Sequence, residues 1–501
     1  MQLEFSPKYC LNSIFMKKTI FPKDFAGYYP AGIRPCPMYV DVANRIYERI
    51  QGLSIRLPGA DELRKEIAIN VAIYYEDKMS KLGLWNAFVS LHMDAYHRPL
   101  PFYEVDGVLE DEDVNAQEVE LLVWIVMSRN FDDQFINPLA MDKYTAKIIM
   151  DVLTEDDEIE VNDGLYDFVY RDGQADDYFK LKRVLLWLRK SYLLCSPLAE
   201  AEFDDLAEGW RSTHFNKRET QYYSETTFAM TTEIGPMALL PHWWLAEMYQ
   251  NNGMIEASQR LRNLQYRTQD IFKVVDADTD YAVLKDSKAE EYKLQNVYPD
   301  LFRNGRYVST ALVKYGNCDW EINGYIANAD LEQYNFRCER NKELQVSYER
   351  VFPMYMEKTD GKRLAFFENA RQRKDWLKKV APGMDIEEIS GKLPSGPQVA
   401  FISKKAGIIF APGMTHAIKC AYNPFYRKCD AVTMQQETVN ALCDTEAMHP
   451  ELLQYLLENE MLQDGDISSL HHSETGNRIF TRNIDFIARN HRRQYYHDHD
   501  Y

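Results

Sequence analysis

Residues 60–80 read ADELRKEIAINVAIYYEDKMS. Leu63, Ile67, Val71 and Tyr74 recur every three to four residues, which lines one apolar stripe along a helix. Gly83 punctuates that helix. Leu84–His97 predicts a second one, stopped by Arg98-Pro99-Leu100-Pro101 because proline cannot continue the backbone ladder. Asn115 ahead of Ala116-Gln117-Glu118 predicts an N-cap with an acid in the first turn. The run Leu121–Met127 is apolar all round, so its helix is expected in the core. Leu181, Leu185, Leu188 and Tyr192 mark a further helix ending near Pro197, and another pair follows Pro241-His242-Trp243-Trp244. Residues 38–265 are thus read as a helical domain.

Near residue 266 the period changes. Ile271–Val275, Tyr281–Lys285, Tyr292–Val297, Tyr307–Tyr315 and Cys318–Ala327 are short β-type runs, the last two joined by the hairpin signal Gly316-Asn317. Strands this short and close together predict a small β-barrel-like module over 266–345. From 346 to 501 the pattern predicts an α+β domain. It has a helix at Lys362–Val380, a hairpin through Gln398–Ser403 and Ile408–Phe410, and helices around 431–443, 449–460 and 479–492. The fold class is α+β and predominantly helical. A chain of 501 residues exceeds the size of a single core, and with no flexible Gly/Ser linker the domains are expected to pack together.

Acidic residues number 77 against 58 basic ones, a net charge of −19 that repels phosphate backbones and anionic lipid at long range. Wholesale nucleic-acid binding is disfavoured for that reason. Cys10, Cys36, Cys195, Cys318, Cys338, Cys420, Cys429 and Cys443 are scattered without a CxxC pair, which reads as reduced thiols and not as a disulfide framework or zinc ribbon. No run reaches 18 apolar residues, and the first residues lack a signal-peptide pattern. A cytoplasmic protein without a membrane span is expected. The 33 tyrosines suit half-buried surfaces and interfaces.

The possible sites fall to their spacing. Asp276, Asp278 and Asp280 match the first positions of a calcium loop, but its sixth and twelfth positions are Tyr281 and Ser287, so the aspartates read as a turn. His92 and His97 lie about 140° apart on a straight helix and cannot share a metal from it. His242 and Glu247 have the same problem, and His471-His472 and the tail His497–Asp500 lack a held geometry. There is no GxSxG, no GxxxxGK[ST] and no GxGxxG after a strand. No catalytic, metal-ligating or cofactor-binding residue is assigned, and no cofactor is expected. Two stretches oppose the acidic mean. Residues 362–379 and 478–493 interleave Lys and Arg with aromatic side chains, a composition that suits single-stranded nucleic acid.

Several blocks together resemble a known family. They are Tyr74-Tyr75-Glu76-Asp77, Gly83-Leu84-Trp85-Asn86-Ala87-Phe88, Leu100-Pro101-Phe102-Tyr103 and Asp113–Val119 leading into Leu122-Val123-Trp124. Pro241–Glu247, Ala406–Ile409, Asn423–Tyr426 and Asn483–Phe486 extend the likeness over most of the chain. The chain resembles a domain-of-unknown-function family of gut Bacteroidales proteins. The resemblance implies a bacterial cytoplasmic protein and transfers no mechanism. Trp85 and Phe88, spaced i and i+3, read as core.

The leading expectation is a protein-interaction or scaffolding role, with another protein as partner and Tyr281, Tyr315 and Trp320 as the contacting side chains. The alternatives are a hydrolase-like enzyme whose site assembles from distant His and acidic residues, and RNA or single-strand binding through the two basic stretches.

Overall fold

The stretch 60–80 becomes a helix whose second half is buried on every side, and the rest of the helical part is built round it. The computed structural model describes residues 19–52, 60–103, 114–130, 138, 143–155, 160–171, 175–211, 216–295, 300, 302–316, 318–381, 396–403, 407–412, 414–426, 449–461, 483, 485–487 and 489–490. α1 (Pro37–Ile50), α2 (Ala60–Met79), α3 (Leu84–Tyr96) and α4 (Ala116–Arg129) form the centre. From Ile67 to Lys78 every residue of α2 is buried, because α1, α3 and α4 cover different faces of it. Asn115 caps α4 as expected, its Oδ1 accepting from the Gln117 N–H at 2.8 Å.

α5 (Lys143–Leu153), α6 (Asp163–Tyr170), α7 (Tyr178–Leu188), α8 (Pro197–Arg211), α9 (Lys217–Thr231), α10 (Pro241–Asn251) and α11 (Ile255–Arg262) complete the helical part. Asn162, Asp177 and Asn216 cap α6, α7 and α9 through their side-chain oxygens, so each helix start is written locally. Among the described residues, no helix is long and apolar enough to cross a membrane.

β1 (Gln265–Ala277), β2 (Tyr281–Lys285), β3 (Glu291–Gln295), β4 (Tyr307–Lys314) and β5 (Glu321–Ala329) form an antiparallel sheet in the order β3-β2-β1-β4-β5. The expected barrel is not borne out: among the described residues the sheet does not close. Register shifts at Val274/Asp276, Arg267/Asp270 and Thr310/Leu312 bend it. The two edges approach, and among the described residues they meet at one isolated bridge, Leu294 to Trp320. Phe272, Val274, Leu284, Leu294, Val308 and Leu312 fill the inside of the bend.

α12 (Leu331–Lys358) runs from this sheet to a second one, so the boundary expected at 345/346 lies inside a helix. β6 (Leu364–Phe367), α13 (Ala370–Val380), β7 (Gln398–Ser403), β8 (Gly407–Pro412) and α14 (Pro450–Glu458) follow. The single helix expected at Lys362–Val380 is corrected here. Leu364–Phe367 pairs antiparallel with β7, and the helix starts only where the Asn369 side chain accepts from the Gln372 N–H. The sheet order is β6-β7-β8. Leu364, Val399, Phe401, Leu452 and Phe486 belong to the same core cluster as α1–α4, so the first and last parts of the chain share one interior. The expected helix at 431–443 and the histidine-rich stretches lie outside the described residues.

Candidate functional site

Three consecutive ionisable residues, Glu76, Asp77 and Lys78, close the buried helix α2, and a fourth, Glu118, faces them from α4. Buried charge is tolerated only where hydrogen bonds replace water. Each carboxylate meets that condition with donors drawn from distant parts of the chain. Asp77 Oδ1 accepts from the Leu84 N–H at 3.1 Å, and Oδ2 accepts from the Trp85 N–H and the Tyr192 hydroxyl, both at 2.8 Å. It therefore satisfies the start of α3, where Gly83 holds φ +81 and has no side chain of its own to cap with. A Cβ at Gly83 would also sit 3.2 Å from Asn252 Nδ2, which explains the glycine in that motif.

Glu118 Oε1 accepts from Trp85 Nε1 at 2.7 Å. Its Oε2 accepts from the Tyr74 hydroxyl at 2.5 Å and pairs with Lys78 Nζ at 3.7 Å. Glu76 Oε1 takes the Cys36 N–H at 3.2 Å and Asn162 Nδ2 at 2.9 Å, while Oε2 takes the Tyr29 hydroxyl. Burial raises all three carboxyls above their ordinary values, opposed by these same donors.

α10 joins from the other side. Its Glu247 accepts from Ser90 of α3 at 2.7 Å and pairs with Arg262 of α11, while Trp244 Nε1 donates to the Ile234 carbonyl at 3.0 Å. The far end of the chain closes the arrangement. Phe486 is fully buried among Phe88, His92, Phe102 and Trp124, with ring centroids 5.5–6.2 Å away. Asn483 Oδ1 accepts from Arg98 Nη2 at 2.6 Å and from the Phe102 N–H at 3.1 Å. Asp485 accepts from the Tyr96 hydroxyl at 2.6 Å, and Asn490 donates to Ser128 Oγ at 3.2 Å. The motifs read in the sequence at 74–77, 83–88, 100–103, 115–124, 241–247 and 483–486 thus meet in one volume. With every carboxylate engaged, the chemistry it supports is mechanical: it fixes the helices in register.

His92 is part of this clip. Its Nδ1 faces the Arg98 carbonyl at 2.7 Å, its buried Nε2 has no partner, and burial brings its pKa down to about 4. His242, at the start of α10, is also brought down to about 4 by burial. An unfolded histidine titrates near 6.5. Below that value the unfolded chain takes up protons that the folded chain refuses, so stability present above about pH 6.5 is lost as the pH falls towards 4. The raised carboxyls act in the opposite sense: their stabilising contribution is lost as the pH rises through their folded values. His92→Asn is expected to lose about 2 kcal/mol less than wild type between pH 7 and pH 5 in urea titrations. An equal loss in both proteins would remove His92 from the account.

The three side chains expected at an interaction surface do not gather. Tyr281 lies on the solvent side of β2 beside Lys293, its hydroxyl donating to Asp276 Oδ2 at 2.7 Å. Trp320 packs edge-on against Tyr292 on the covered side, 5.1 Å between ring centroids. Tyr315 is only 7% exposed and donates to the Ala175 carbonyl at 2.6 Å. Of the basic stretches, Arg363 pairs with Glu451, Arg373 is buried against Gln398 and the Phe410 ring, and Arg489 pairs with Asp485. The other described surface of note is the first half of α12. There the Tyr334 hydroxyl donates to the Asp286 carbonyl at 2.8 Å and its ring lies 5.2 Å from that of Tyr307. Phe336, about 200° round the helix from both Tyr334 and Cys338, is 60% exposed.

A family model described as "Protein of unknown function (DUF3843)" matches residues 19–327 and 321–493. No curated protein and no solved structure matches the chain.

Proposed function

The chain belongs to the DUF3843 family of proteins of unknown function, and we propose that it works as a cytoplasmic interaction or scaffolding protein. The observation that carries this reading is Phe336. Its phenyl ring is 60% exposed on a 28-residue helix that Tyr334, on the opposite side, ties to the Asp286 carbonyl. Glu332 and Glu339, at i−4 and i+3, share its face and are exposed. An apolar knob between carboxylates fits a partner pocket with a basic rim, and the chain's net charge of −19 steers such a partner in. The solvent-facing ring of Tyr281, on β2, is a second contact proposed for the partner.

The test is affinity purification of the tagged full chain from its native host, with and without nuclease, read by quantitative mass spectrometry. Wild type should recover one protein partner that survives nuclease. Phe336→Glu should recover it at least about tenfold less, an apolar anchor being worth upwards of 1.4 kcal/mol. Equal recovery by both proteins, or no partner in either condition, would end this reading.

A further inference from the structure

Arg129, the last residue of α4, is 6% exposed and has no carboxylate within ion-pair distance among the described residues. Its Nη1 donates to the Tyr192 carbonyl at 2.7 Å and its Nη2 to the Leu193 carbonyl at 2.6 Å. Nη1 also lies 3.3 Å from the sulfur of Cys195, and Nε has no partner. Carbonyl dipoles orient a guanidinium but do not neutralise it. A buried cation without a counter-charge is strongly unfavourable. The ionisable atom in bonding reach is Cys195 Sγ. Cys195 is half-buried, and it directly precedes Ser196, whose Oγ accepts from the Ala199 N–H at 3.4 Å and caps the 15-residue α8. The partial positive charge of that helix start favours an anion at the same sulfur.

We infer that Cys195 is a thiolate at neutral pH, the counter-ion of Arg129, and the chain's site of oxidation by hydroperoxides. Two other titratable groups face this neighbourhood. Tyr28 comes from the N-terminal segment, where its hydroxyl is held by Asn70 Nδ2 at 3.3 Å. Burial pushes its pKa up, so it stays a neutral phenol beside the sulfur. Glu66 of α2, whose carboxylate accepts from Asn130 Nδ2 at 3.1 Å, also acts on Tyr28, and its charge opposes a thiolate that Arg129 favours. A neutral thiol donating to the Tyr192 carbonyl at 3.6 Å would leave the guanidinium uncompensated. Cys36 provides the contrast: burial and the neighbouring Glu76 push its thiol up to about 11.

The chemistry balances with hydrogen peroxide as the co-reactant. The thiolate attacks one peroxide oxygen, an S–O bond forms and the O–O bond breaks. Hydroxide leaves and is neutralised by a buffer acid, and sulfur is oxidised by two electrons to a sulfenic acid while the peroxide oxygens are reduced.

The experiment uses the full-length wild-type chain and trace iodoacetamide from pH 5.5 to 9, with each cysteine followed by peptide mass spectrometry. Alkylation of Cys195 should titrate with a midpoint below about 7, more than one unit under the ordinary thiol value. At pH 6.5 it should still react within about tenfold of its plateau, where an ordinary thiol has fallen about a hundredfold. After brief hydrogen peroxide treatment, dimedone should label Cys195 in wild type and not in Cys195→Ser. Arg129→Lys, if it folds by circular dichroism, should raise the midpoint. The wild-type profile stands without it. A Cys195 midpoint at or above about 7, or dimedone label confined to other cysteines, would overturn the assignment.

Discussion

Asp77→Ala is expected to lower the unfolding free energy by about 3–5 kcal/mol, among the largest effects of any single substitution in this chain. The carboxylate serves three donors at once, the N–H groups of Leu84 and Trp85 and the Tyr192 hydroxyl, and all three are buried. Removing it leaves each without a partner and leaves α3 without an N-terminal acceptor. Asparagine does not rescue the site, because its amide presents two hydrogens where donors converge. Urea titration followed by tryptophan fluorescence measures the effect, with Trp85 itself reporting from the site. A loss under about 1 kcal/mol would mean that water enters and replaces the carboxylate, and that the polar centre is not closed.

Phe486→Ala is expected to cost about 3–5 kcal/mol as well, by a different route. The ring fills a volume walled by Phe88, Phe102, Trp124 and His92, rigid groups that cannot collapse to fill the vacancy. The polar contacts of Asn483 and Asp485 at Arg98, Phe102 and Tyr96 depend on the same insertion. The variant should therefore lose its C-terminal residues to limited proteolysis well before the helical core is cut. Matching digestion of wild type and variant would show that the polar contacts hold the segment without the ring.

Helix spacing, caps and the change of period near 266 were legible because they are local. Asn115 caps α4, and all five β-type runs became strands, with β1 longer than its apolar part. Closure of the sheet was not legible, since its curvature comes from register shifts that leave no mark on residue type. The strand at Leu364–Phe367 was hidden by Lys362, Arg363, Arg371 and Arg373, whose spacing imitates a charged helix face. Two of those charges turn inward to Glu451 and Gln398.

The polar centre was harder to see. Asp77 and Tyr192 are 115 residues apart, and Glu76 and Asn162 are 86 apart, so no local pattern joins them. One signal was present all the same. Glu76-Asp77-Lys78 interrupts a helix that is apolar on more than one side, which is where buried, bonded charge belongs. The blocks that carry the family resemblance are largely these structural contacts, so they say how the chain is held.

Whether residues separated by some 400 positions form one cooperative unit is decided by hydrogen exchange of the full chain at neutral pH. The peptide spanning 483–490 should exchange as slowly as that spanning 84–88, and both should lose protection together in Phe486→Ala. Full exchange of 483–490 within seconds, with 84–88 still protected in wild type, would contradict the account.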